Sequence, residues 1–172
     1  MPRASPADLE ITPGTDADIP LVARLADAIW REHYPGILSA GQIDYMLAHG
    51  YAHEALAKFV REPGAGIAIA RAGGEAVGFA AWYRPDEPET TKLDKLYVLP
   101  ARHGRGIGRA LIAHVEAAAR VDGARTVILN VNKGNAASIA AYRACGYATR
   151  AACVVDIGGG YVMDDYVMAK AL

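Results

Sequence analysis

The sequence predicts a single mixed α/β (α+β) domain: a central, mostly antiparallel sheet of about seven strands with one parallel pair, flanked by helices. Three observations lead there. Apolar, β-prone runs and amphipathic alanine- and leucine-rich segments follow one another as strand, helices, three strands, helix, strand, helix, two strands. Gly73-Gly74 between two apolar runs marks a hairpin. A helical segment separates the strand ending at Leu99 from the one starting at Thr126, which makes that pair parallel, since parallel neighbours need a long crossover. No linker, repeat or low-complexity tract divides residues 1–172.

Residues 1–8 are expected to form a flexible lead-in. Leu9–Thr12 reads as a short edge strand, and Pro13-Gly14-Thr15-Asp16 as a turn in which Thr15 or Asp16 caps the next helix. Asp18–Arg31 places Ile19, Val22, Leu25, Ala26, Ile29 and Trp30 on one helical face, and His33-Tyr34-Pro35-Gly36 breaks it. Ser39–His49 forms a second helix, capped by Ser39 and ended by Gly50, with Ile43, Met46 and Leu47 on one side. A third helix, His53–Arg61, stops before Pro63-Gly64. Ile67–Arg71, Glu75–Tyr83 and Thr91–Leu99 are three successive antiparallel strands. The helix Gly106–Val121 carries a stripe of Ile107, Leu111, Val115 and Ala118. Thr126–Asn130 is a buried strand, and Asn135–Cys145 a helix capped by Asn135 and closed by Gly146. Ala148–Ile157 and Tyr161–Ala169 are strands about Gly158-Gly159-Gly160.

Composition limits the function classes. A chain of 172 residues with 22% charged residues has the length and balance of one globular domain. A net charge of −1 supplies no global field toward nucleic acid or anionic lipid, so neither is an expected partner. Cys145 and Cys153 read as reduced thiols, and the five histidines are too scattered for a metal site. No stretch has signal-peptide or membrane-span character, so a cytoplasmic protein is expected.

The chemistry centres on Leu96-Tyr97-Val98-Leu99-Pro100 and the turn His103-Gly104-Arg105-Gly106-Ile107-Gly108-Arg109 that follows. Alternate glycines turn backbone amides toward one point, the next helix adds its positive dipole end, and Arg105 and Arg109 add charge. Such a turn binds phosphate. Its spacing matches neither the nucleoside-triphosphate loop nor the dinucleotide fingerprint. A tight turn without a ligand and a nucleotide-binding protein are the alternatives at this point. Downstream stand Asn130, Asn132, Asn135, Ser138, Tyr142 and Gly146-Tyr147.

At these residues the chain resembles the GNAT superfamily of N-acetyltransferases. Val98-Leu99-Pro100 and His103–Gly108 fall on the acetyl-coenzyme A motif of that family; Asn135, Ser138, Tyr142, Gly146 and Tyr147 fall on its later motif. The resemblance covers residues 67–170. It implies that acetyl-coenzyme A is the co-substrate, with no metal, and that a primary amine attacks its thioester directly. It implies that the parallel strands splay and that pantetheine lies in the gap, bonded to the backbone of Leu96 and Val98. Gly104, Arg105, Gly106, Gly108 and Arg109, with Ile107 between them, would hold the pyrophosphate, and Asn130 and Asn135 would touch the cofactor. His103 departs from the family, which has glutamine or arginine there.

The resemblance also implies that Tyr142 is the general acid, since a phenol is protonated at neutral pH and can donate to sulfur; the alternative is a packed core tyrosine. Asp94 is either the base or a solvated, paired strand residue. Glu32, His33 and Tyr34 border the acceptor pocket or are ordinary surface residues. Gly41–Leu47 and Gly158–Met168 are similar to a bacterial branch that includes polyamine acetyltransferases. Their acidic and aromatic residues suit a cationic small-molecule amine; Asp164 and Asp165 can equally start a strand or border a homodimer interface. Amino-acid derivatives, antibiotics, and protein N-termini or lysines are other acceptors. A catalytically inactive acyl-coenzyme A-binding or regulatory module is the alternative to an enzyme.

Overall fold

Along the strand Gly66–Ala72, Ala68 and Ala70 enter one apolar cluster while Ile67 and Ile69 enter another. This alternation is what a strand buried on both faces requires, and it places the sheet between two helical layers. The computed structural model describes residues 8–172; of the expected lead-in at 1–8, all but Asp8 lies outside the described residues. In chain order the elements are β1 (Leu9–Pro13), α1 (Ile19–His33), α2 (Ala40–Gly50), α3 (His53–Arg61), β2 (Gly66–Ala72), β3 (Glu75–Tyr83), β4 (Thr90–Val98), α4 (Ile107–Val121), β5 (Thr126–Asn132), α5 (Ala136–Ala144), β6 (Ala148–Gly158) and β7 (Tyr161–Ala171).

The sheet has seven strands in the order β1-β2-β3-β4-β5-β7-β6. Among the strands of the described residues, only β4 and β5 run parallel. One core joins α4 and α5 to the sheet through Leu111, Val115, Ile139 and Leu129; the other joins α1 and α3 to the opposite face through Val22, Leu56 and Phe79.

The caps follow the sequence. Thr15, rather than Asp16, closes the turn before α1, in a reciprocal box with Asp18. Ser39 Oγ accepts from the Gln42 amide at 3.1 Å, and Asn135 Oδ1 from the Ser138 amide at 3.4 Å. The inward stripe of α4 differs from expectation. Ala119 is buried where Ala118 was expected, and Ile112 and Glu116 join it, because steps of four from Ile107 lead to 119 and leave 118 on the rim.

The decisive departure from a regular sheet lies between β4 and β5. They pair only over Thr90–Leu93 and Thr126–Leu129. Beyond that point Lys95–Val98 stay with β3, while Asn130–Asn132 stay with β7. A bulge begins the separation: Leu93 opposes Trp82 and Lys95 opposes Ala81, leaving Asp94 without a partner. The expected splay is therefore present.

Candidate active site

The parting strands open a cavity of about 410 Å³. That falls in the range of small-molecule sites. Leu96 and Val98 line it from β4, Asn130 and Asn132 from β5, and Asn135 and Tyr142 from α5. The two sequence motifs thus meet in one place although more than one element separates them in the chain.

The turn into α4 is shaped for an anion. Gly104 and Gly106 have φ of +74° and +78°, and a Cβ added at either would meet nothing within 4 Å. That backbone region is costly for other residues, and the open space lets a ligand approach the main chain. Gly106 is the N-cap of α4 and no side chain caps the helix, so its first amides remain free. Arg105 and Arg109 are exposed and form no ion pair among the described residues, whereas Arg102 is held by Glu75 at 2.9 Å. Free amides, a helix N-terminus and two uncommitted guanidinium groups fit a pyrophosphate. The departing residue, His103, turns back to the strand: its Nε2 donates to the Val98 carbonyl at 2.8 Å and pins the turn to β4.

Among the expected acceptor residues, the structure separates Glu32 from its neighbours. Glu32 is exposed and does not line the cavity, being one helical step away from the face that does. His33 and Tyr34 both line it. His33 Nε2 lies 3.2 Å from Asn135 Oδ1, tying α1 to the cap of α5. Tyr34 and Tyr97 share a hydroxyl contact of 3.2 Å, and Trp30 donates to the Tyr51 hydroxyl at 3.1 Å. Burial pushes the phenols of Tyr34, Tyr51 and Tyr97 above the ordinary tyrosine range. Trp30, Tyr51 and Tyr97 line the cavity although none of them is among the expected site residues. The only signal was the alternation that sends Tyr97 to the face opposite Leu96 and Val98.

Tyr142 is half-buried, and its hydroxyl has no hydrogen-bond partner among the described residues. Burial drives its pKa far above the ordinary value, helped by the nearby Tyr34 and Cys145, so the phenol keeps its proton at neutral pH. Asp94 also lines the cavity, but its Oδ2 pairs with Lys95 Nζ at 3.1 Å. That ammonium stands 4.5 Å from the centre of the Tyr51 ring. Asn130 points its amide toward Cys153 Sγ at 3.7 Å.

The model of the acetyltransferase (GNAT) family matches residues 23–147. An uncharacterized N-acetyltransferase of Mycobacterium tuberculosis is 34% identical over 116 residues, which span 67% of this chain and 73% of that protein. A GCN5-related N-acetyltransferase from Rhodopseudomonas palustris has a TM-score of 0.78 at 27% identity, with 95% of each chain covered. The PaiA N-acetyltransferase from Thermoplasma acidophilum, solved in complex with coenzyme A, shares the fold with a TM-score of 0.77 at 21% identity, covering 95% of this chain and 99% of that one. The chain belongs to the acetyltransferase (GNAT) family and is an acetyl-coenzyme A-dependent N-acetyltransferase.

Proposed function

We propose that the acceptor is a small primary amine, that its nitrogen attacks the thioester carbon of acetyl-coenzyme A directly, and that Tyr142 protonates the departing thiolate. The observation that carries this reading is the convergence of Tyr142, the parted ends of β4 and β5, and His103 of the glycine turn on one cavity. The amides at the start of α4, with Arg105 and Arg109, hold the pyrophosphate, and the edge of β4 at Leu96 and Val98 that β5 leaves uncovered holds the pantetheine arm. Asn135 keeps both of its roles, capping α5 and bordering the cofactor beside Asn130. His33 and Tyr34 border the amine.

In this reading the C–N bond forms as the C–S bond breaks. The sulfur takes the phenolic proton of Tyr142, and the proton released by the amine nitrogen replaces it. A phenol held above its ordinary range suits the donor role because it stays protonated until charge develops on sulfur. Asp94 is the less favoured base, since its pair with Lys95 must open before it takes a proton.

Tyr142→Phe removes only the hydroxyl and leaves the ring packing against Tyr147. It is expected to lower kcat at saturating amine by about tenfold or more while acetyl-coenzyme A affinity stays within about twofold. The assay is thiol release over a panel of alkyl diamines, amino acids and aminoglycosides. An unchanged kcat would remove Tyr142 from the mechanism. Coenzyme A binding without turnover of any panel amine would favour an inactive module or a protein acetyltransferase.

A further inference from the structure

Asp165 sits in β7 at 5% exposure, and its Oδ1 is buried without a hydrogen-bond partner. No cation among the described residues lies within ion-pair distance of it. Its neighbour Asp164 faces away and binds Lys133 at 2.7 Å, so Lys133 is already committed. Strand alternation turns Met163 and Asp165 to the cavity, and both line it. A desolvated carboxylate oxygen without a donor is a costly group that native proteins rarely keep without a purpose.

The groups around it ease that cost without removing it. Burial pushes the Asp165 carboxyl above the usual carboxylate range, and the Asn130 amide from β5 and the Lys92 ammonium from β4 pull it partly back. Asp164 pushes in the same direction as burial, and Lys133 against it. Lys92 lines the same cavity but stays outside ion-pair distance. Across the cavity stand Trp30, Tyr34 and Tyr97, rings whose faces attract cations, and the Tyr34 phenol feels the Asp165 charge. The donor that Oδ1 of Asp165 lacks is therefore to come from outside the chain.

We propose that Asp165 receives an ammonium group of the acceptor other than the nitrogen that is acetylated, so that the enzyme selects alkyl amines that carry a second, protonated amine. This rests on the small-amine reading above and gives that amine its anchor. The N–H groups of the bound ammonium donate to the carboxylate and complete its hydrogen bonding. In the unliganded protein the same carboxylate is a liability, a common feature of binding residues.

The test uses 1,4-diaminobutane and spermidine as probes, with calorimetric binding to the coenzyme A-saturated enzyme alongside turnover. Asp165→Asn is expected to weaken amine affinity and raise amine KM by at least about tenfold, the loss of a charge-assisted hydrogen bond. Coenzyme A affinity should not change, kcat should change less than KM, and the melting temperature of the unliganded protein should rise by about 2–4 °C. Unchanged amine affinity overturns the proposal. So does a lowered melting temperature with loss of coenzyme A binding, which marks a structural role. If Asp165→Asn does not fold, Asp165→Glu keeps the charge but displaces it, and an unchanged KM there also overturns the proposal. Failure of both probes to bind the wild type overturns it as well, while turnover of other panel amines would leave the small-amine reading standing.

Discussion

Two tyrosines in one short motif do different work. The rings of Tyr142 and Tyr147 lie 6.0 Å apart, edge to face. Tyr147 is a structural staple: its hydroxyl donates to Glu116 Oε1 at 3.1 Å, and Lys170 Nζ reaches both oxygens of the same carboxylate at 2.9 and 3.0 Å. This trio, with Tyr147 and Glu116 buried and Lys170 half-buried, ties α4 to β7 beneath the motif. Lys170→Met leaves the Glu116 charge with only a phenol as partner, and breaking such a pair costs about 3 kcal/mol or more. Urea unfolding should show a correspondingly lower midpoint, and Glu116→Gln combined with Lys170→Met should recover part of it. A midpoint equal to wild type for Lys170→Met would mean that the pair holds nothing. The sequence motif contains both tyrosines and does not show that the hydroxyl of Tyr147 is tethered while that of Tyr142 is free. That distinction comes from Glu116, 31 positions from Tyr147 in the chain.

At the scale of elements, the glycine turn was legible because its requirement is local. Gly106 needs a positive φ, and a Cβ there would occupy the space through which a ligand reaches the amides. Gly108 differs: its backbone is ordinary, and an added Cβ would meet only Val98 Cγ2 at 3.9 Å. Gly106→Val is expected to lower acetyl-coenzyme A affinity by more than about tenfold and to destabilise the protein by about 1–2 kcal/mol. Gly108→Ala should bind the cofactor within about twofold of wild type and melt at or above its temperature, since alanine is the better helix former. Calorimetry and thermal melting check both, and equal affinities for the two variants would misplace the pyrophosphate. Another pairing of elements was not legible. Tyr45 in α2 donates to the Ile157 carbonyl at 2.9 Å, and Gln42 to the Val162 carbonyl at 2.8 Å, so α2 clasps the turn between β6 and β7. The two stretches that resembled one bacterial branch are thus a single wall, built from residues 112 and 120 positions apart.

At the scale of the whole molecule, function depends on a defect in the sheet. Pairing between β4 and β5 stops after four residue pairs, leaving backbone groups on both strands without sheet partners. In the proposed site acetyl-coenzyme A needs both strands and α4 assembled, so it should stabilise the fold by mass action. At about 100 times its dissociation constant the gain is about 2.7 kcal/mol, a rise of roughly 5–10 °C in melting temperature for a domain of this size. Differential scanning with coenzyme A against ATP and NAD checks this. A larger shift with either nucleotide would contradict the site drawn here.

The sequence by itself determined the elements, their order, the parallel pair and the glycine turn before α4. Each of these rests on short-range physics: hydrophobic period, capping side chains, and glycine at positive φ. It also carried Tyr142, Asn135 and the cofactor turn as residue types at fixed spacing. Only the tertiary structure decided which of those side chains remain uncommitted. Asp94 is paired with Lys95, His103 is turned to Val98, Glu32 faces away, and Oδ1 of Asp165 is buried without a donor. Whether a polar atom is satisfied depends on groups brought together from distant parts of the chain, and no local pattern of residues encodes that.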